Sequence, residues 1–183
     1  MPKPKLYLYK AADAPIAVIL RRGTKKSVWE MIRWDLLTDT FTEGQWLTHK
    51  TVHGKDASIS ADGQLFAYQY DVYGSEYESC AVVSRIPNFS AVLFTAQAAG
   101  HWDHLGFSAD GSVATSIEEG WVAKEDSVPN IVSYTEKADS GYMPGPWKDL
   151  KDRTIVLDGA KVVADGEVLY DTTDHVFQAK PAL

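Results

Sequence analysis

Potential metal ligands bunch together at one point in this chain, His101-Trp102-Asp103-His104. Imidazole and carboxylate both suit zinc, and a hydrolytic centre needs three such donors around an open position. In an extended segment His101 and Asp103 point to one face and His104 to the other. A mononuclear site then needs a donor from elsewhere, with His49, His53 and His175 as the choices. The plainer reading is a polar loop anchored by Trp102, with no bound metal and no cofactor. A metal-dependent hydrolase centred on His101, Asp103 and His104 is the enzymatic alternative. Nucleophilic catalysis has less behind it. There is no Gly-x-Ser-x-Gly elbow, and Ser60 and Ser108 belong to turns. Glu118-Glu119 and Glu125-Asp126 pair carboxylates as acid–base chemistry requires. In a chain with 25 Asp and Glu, such pairs read as acidic surface loops. No Gly-rich phosphate loop precedes a helix. No catalytic residue is assigned.

Aromatic residues offer a different chemistry, stacking on sugars or peptides. Of the six tryptophans, Trp29 and Trp34 fall in a strand-like run and read as core. Trp147 stands between Pro146 and Lys148 in a loop, with Tyr142 nearby, and is the best candidate for an exposed anchor, the alternative being that it tucks back to anchor the loop. Loops over a rigid β scaffold are where binding energy concentrates. Trp147, Tyr142 and Trp102 are therefore the candidate binding residues, and a glycan-binding domain using Trp147 and Tyr142 is a second alternative.

Composition narrows the classes. The chain has 183 residues, 45% of them hydrophobic and 11% aromatic, as expected of one folded domain spanning 1–183. A net charge of −7 gains nothing from counterion release, so no nucleic-acid partner is expected. The lone Cys80 lies in the apolar run Cys80-Ala81-Val82-Val83 and reads as a small core residue. Near the N-terminus the apolar stretch Ile16 to Leu20 is too short for a signal h-region and is followed by Arg21-Arg22. No run is long enough for a membrane helix. The expectation is a cytoplasmic protein with no membrane partner, monomeric or homodimeric.

The elements that must carry these residues are strands joined by Asp-Gly turns. Ser60-Ala61-Asp62-Gly63-Gln64-Leu65 returns as Ser108-Ala109-Asp110-Gly111-Ser112-Val113 and, more weakly, as Ala164-Asp165-Gly166-Glu167-Val168. Asp-Gly suits a tight turn because both residues tolerate positive φ. The Asp-Ala-Pro of residues 13–15 reads as a degenerate first copy. Val28 to Leu37 has some helical spacing, yet Trp34-Asp35 with Thr38-Asp39-Thr40-Phe41 fits a strand–turn–strand better. Two prolines and two glycines in Ser140 to Trp147 bar regular structure there. The predicted class is all-β: an antiparallel meander of propeller-blade-like units at approximately 5–50, 56–100, 104–137 and 153–177.

The Ser-x-Asp-Gly turns and the Trp-Asp-x-x-Thr-x-x-Phe edge resemble the repeats of WD40-like and TolB-like β-propellers. The resemblance implies a small or incomplete propeller and is nearly silent on function. The stretch from Ala12 to Val18, with Trp34-Asp35, Gly44-Gln45-Trp46 and Ser60 to Gly63, also resembles a family of small bacterial proteins without an assigned activity. The reading that follows is a non-enzymatic binding or scaffold module that engages a protein partner through its loops. In a closed ring the first strand, Leu6 to Tyr9, is expected to pair within the last unit.

Overall fold

The computed structural model describes residues 3–72, 79–97, 105–117, 120–134 and 141–177. These residues form strands, turns and loops, with no helix. The first sheet is a plain meander of β1 (Lys5–Lys10), β2 (Ile16–Arg22), β3 (Val28–Asp35) and β4 (Thr40–Thr48). Val28 to Asp35 is thus strand, as the Trp-Asp edge suggested. Its turn is closed by the Asp35 carboxylate, which accepts the N–H groups of Leu37 and Thr38 at 3.1 Å each.

The second sheet contains β5 (Thr51–Val52), β6 (Ser58–Ile59), β7 (Leu65–Asp71), β8 (Ser79–Arg85) and β9 (Ala91–Gln97). Next come β10 (Leu105–Phe107), β11 (Val113–Thr115), β12 (Val122–Ala123) and β13 (Ile131–Ser133). Here the simple meander fails. β13 pairs parallel to β11, and β12 crosses to the edge of the second sheet to pair with β9. The last sheet is β14 (Trp147–Lys148), β15 (Thr154–Asp158), β16 (Lys161–Ala164) and β17 (Glu167–Asp171), antiparallel and in order.

Side-chain alternation decides how the sheets stack. On β1, Tyr7 and Tyr9 enter one core with Leu20, Trp29 and Met31, and meet Phe66, Tyr68 and Val82 of the second sheet. Leu6 and Leu8 point the other way, into a core with Trp34, Trp147, Ile155 and Val162. The opposite face of the second sheet packs Ala81, Val83 and Leu93 against Leu105, Phe107 and Val113. The last sheet therefore covers the first, the first covers the second, and the second covers the third. No closed barrel or propeller is formed among the described residues. The first strand pairs with β2 along its whole length instead of entering the ladder of the last unit. Its link to that unit is made face to face, by Leu6 and Leu8.

The repeated turn works through one mechanism. The Ser60 hydroxyl donates to Asp62 at 2.6 Å, and the Gln64 N–H donates to the same carboxylate at 3.0 Å. Ser108 and Asp110 repeat this, with the Ser112 N–H as second donor. Gly63 and Gly111 sit at φ 70° and 84°. Asp165 and Gly166, at 48° and 89°, give the two successive positive φ values of a type I′ hairpin. The first two sites differ in surroundings. A Cβ on Gly63 would lie 2.8 Å from Ile16, whereas one on Gly111 meets nothing. Gly63→Val is expected to cost about 3 kcal/mol and Gly111→Val about 1 kcal/mol, with strain common to both and the clash confined to the first. Urea denaturation of the two variants measures the difference. Equal losses would remove Ile16 from the argument.

A polar staple joins the first and last sheets. Both guanidinium Nη atoms of Arg153 donate to Asp39, at 2.9 and 2.8 Å, and its Nε donates to Asp149 at 2.8 Å. Lys151 reaches Asp39 at 2.6 Å. The Arg153 hydrogen bonds chiefly hold the Asp39 carboxyl down to about 2. A depressed carboxyl contributes stability above the unfolded value of about 4 that is lost as pH falls through about 2. Because these groups are partly exposed, Asp39→Asn is expected to cost only about 1 kcal/mol at pH 7. The gap to the parent should close between pH 4 and pH 2 in urea titrations.

Candidate functional site

Gly141 to Met143 approaches the outer edge of β1. The Lys10 N–H donates to the Gly141 carbonyl at 2.8 Å, and the Met143 N–H donates to the Leu8 carbonyl at 2.9 Å. Tyr9 and Tyr142 form the bridge between these bonds. Only glycine fits at 141, where φ is 63° and a Cβ would lie 2.6 Å from the Lys10 carbonyl oxygen. Beyond Met143 the pairing stops, and residues 143–146 lie outside any strand. The edge is left, and a groove of about 460 Å³ opens beside β1, lined by Lys5, Leu6, Lys55, Tyr142, Met143 and Leu157 among others. That volume lies within the ~300–1,000 Å³ of ordinary ligand clefts. The ring of Tyr142 is fixed by Tyr9 and Tyr7, at centroid distances of 5.5 and 6.4 Å, and burial pushes its phenol pKa up. The ammonium of Lys5 stands 4.9 Å from the Tyr7 ring centre. Neither Lys5 nor Lys55 has a carboxylate partner among the described residues.

Of the three aromatic candidates, Tyr142 lines this groove. Trp147 does not act as an exposed anchor. It is 8% exposed and packs edge-on against Trp34 at 6.1 Å, inside the core between the first and last sheets. Its neighbours in sequence are turn-formers, but pairing of Trp147 with Ile155 turns the ring inward. Trp102 and the metal candidates His101, Asp103 and His104 lie outside the described residues. The distant histidines are in separate places. His49 occupies a positive-φ turn, His53 pairs with Asp71 at 3.0 Å, and His175 joins a partly buried cluster.

That cluster was not read from the sequence. Glu30, in the middle of β3, is fully buried. His175 Nδ1 lies 3.0 and 3.2 Å from its two carboxylate oxygens, and His175 Nε2 lies 3.5 Å from Glu43. Glu30, Glu43 and His175 bring three ligand atoms within 4.8 Å of one another, so they are the described group able to hold a metal ion. The guanidinium of Arg21, 4.0 Å from the same Glu30 carboxylate, already supplies positive charge there. Arg21 Nε also donates to the Thr172 carbonyl and hydroxyl, and Nη2 to the His175 carbonyl. The cluster fastens residues 172–175 to the first sheet. Burial pushes the Glu30 carboxyl up, against the opposing effect of His175 and Arg21, and pushes the Arg21 guanidinium down. The available sequence signal was a charged residue between Trp29 and Met31 in a strand buried on both faces.

No helix among the described residues is long and apolar enough to cross a membrane. No family model, curated protein or solved structure matches the chain.

Proposed function

We propose that the chain is a non-enzymatic binding module, a propeller-like β scaffold that engages a protein partner at the groove beside β1. The reading is supported above all by the groove itself, where a loop, a strand edge and two lysines without carboxylate partners among the described residues meet. The cytoplasmic, monomeric or homodimeric setting belongs to the same proposal. For glycans, burial of Trp147 leaves Tyr142 as the one stacking ring among the described candidates, so a protein is preferred. The metal-dependent hydrolase on His101, Asp103 and His104 has no described geometry to favour it.

The test places the photocrosslinker p-benzoylphenylalanine at Lys55, with exposed Lys124 as a control position. Irradiation in the cells that make the protein is expected to give a discrete protein adduct from position 55 and none from 124. No adduct from 55, or the same adducts from both positions, would overturn the proposal.

A further inference from the structure

We propose that the groove accepts an extended acidic peptide, added as a strand to the open edge of β1 at Leu6; this rests on the binding-module reading above. The backbone carries the first part. In an antiparallel strand the N–H and C=O of one residue point to the same edge, and successive residues alternate. Leu8 and Lys10 turn theirs outward to residues 141–143. By the same alternation Leu6 turns its N–H and C=O outward too, and among the described residues β1 has no strand on that side. An unpaired edge beside a groove is the template used in strand addition, where main-chain hydrogen bonds supply affinity and neighbouring pockets read alternate side chains. Tyr142, Met143 and Leu157 offer those apolar contacts.

Charge selects the peptide. The chain as a whole carries −7, which repels acidic ligands at long range. The charged residues lining the groove are of the other sign: Lys5 and Lys55 are both exposed on its rim without carboxylate partners among the described residues. Screening confines both effects to roughly 10 Å at 0.1 M salt, so the local lysines dominate for a bound segment. The charged residues that line the groove, Lys5 and Lys55, offer a basic peptide no counter-charge.

The experiment is selection of a phage-displayed library of random 12-residue peptides on the immobilised full chain. Enrichment of sequences rich in Asp and Glu, alternating with apolar residues, is expected. A synthetic copy of an enriched peptide should then bind in fluorescence anisotropy, and N-methylation of alternate backbone nitrogens on one edge should weaken it at least tenfold. The Lys5→Glu/Lys55→Glu variant should also lose at least tenfold while keeping the parent's melting temperature. The proposal falls if neutral or basic peptides are enriched, if nothing is enriched, or if N-methylation on either edge is harmless. It falls also if light scattering finds a dimer that the double variant dissociates, since a second copy then occupies the edge. A position-55 adduct in cells with no peptide enrichment removes the acidic-strand inference and leaves the binding module standing. Peptide binding without an adduct removes the cellular partner and leaves the groove's chemistry intact.

Discussion

Arg21→Met is expected to lower stability by about 3–5 kcal/mol, more than Glu30→Gln. Removing one member of a buried ion pair leaves the other charge in protein without compensation. Arg21 is 3% exposed and Glu30 fully buried. The arginine contributes more than charge, because it donates to the Thr172 carbonyl, the Thr172 hydroxyl and the His175 carbonyl, and so holds residues 172–175. Glu30 behaves differently. Burial, its largest influence, raises its pKa, so the fold favours the neutral carboxyl. Such a group contributes stability fully present below the unfolded value of about 4.3 and lost as pH rises through the folded value. Glutamine is permanently neutral and avoids that loss. Without Arg21 the Glu30 carboxyl has still more reason to take up a proton. The deficit of Arg21→Met should therefore shrink on acidification, and adding Glu30→Gln should recover part of it at pH 7. Urea denaturation of the three variants at pH 7 and pH 5 measures this. A deficit that grows with acidification would show that Glu30 needs its negative charge.

Those two residues also show where sequence reading stopped. The Asp62-Gly63 and Asp110-Gly111 turns were legible because their chemistry is local: a hydroxyl, a carboxylate and a positive-φ glycine within five residues. Trp34 to Phe41 was legible for the same reason, since Asp35 caps its own turn. Glu30 was not, because its partner His175 is 145 residues away. Nor was the stacking of sheets. Strands covered on both faces lose their alternation, and Ile16 to Arg21 is buried without a break. Trp147 misled for a related reason. Proline and glycine around it forecast an irregular backbone, which says nothing about where a large apolar ring goes once a sheet lies beside it. Tyr142, in the same loop, does line the groove, although the β1 edge that makes the groove depends on what Gly141 meets far away in the chain.

The second large effect is expected at Gly44, a buried residue of β4. A Cβ there would lie 1.8 Å from the Pro87 carbonyl oxygen and 2.7 Å from that of Met31. Both obstacles are backbone, so no side-chain rotation relieves them. The Pro87 turn joins β8 to β9, and Gly44 sits opposite the irregularity in the β3–β4 register between Glu30 and Ile32. An alanine must therefore push the first and second sheets apart where their edges meet. Four hydrogen bonds depend on that approach. The Gln45 N–H donates to the Pro87 carbonyl at 3.1 Å. Its side-chain Oε1 accepts the Phe89 N–H, the Ser90 N–H and the Ser90 hydroxyl at 2.8, 3.1 and 3.2 Å. Gly44→Ala is expected to cost at least about 3 kcal/mol, from overpacking together with weakened hydrogen bonds. Gln45→Ala alone should cost about 1–3 kcal/mol, since it strips acceptors from backbone N–H groups. If both act through the same junction, the double variant loses less than the two singles together, because contacts already broken by Gly44→Ala cannot be lost again. A parent-like denaturation midpoint for Gly44→Ala would mean that β4 and the Pro87 turn are not in contact. Strict additivity in the double variant would mean that Gln45 acts somewhere other than at this junction.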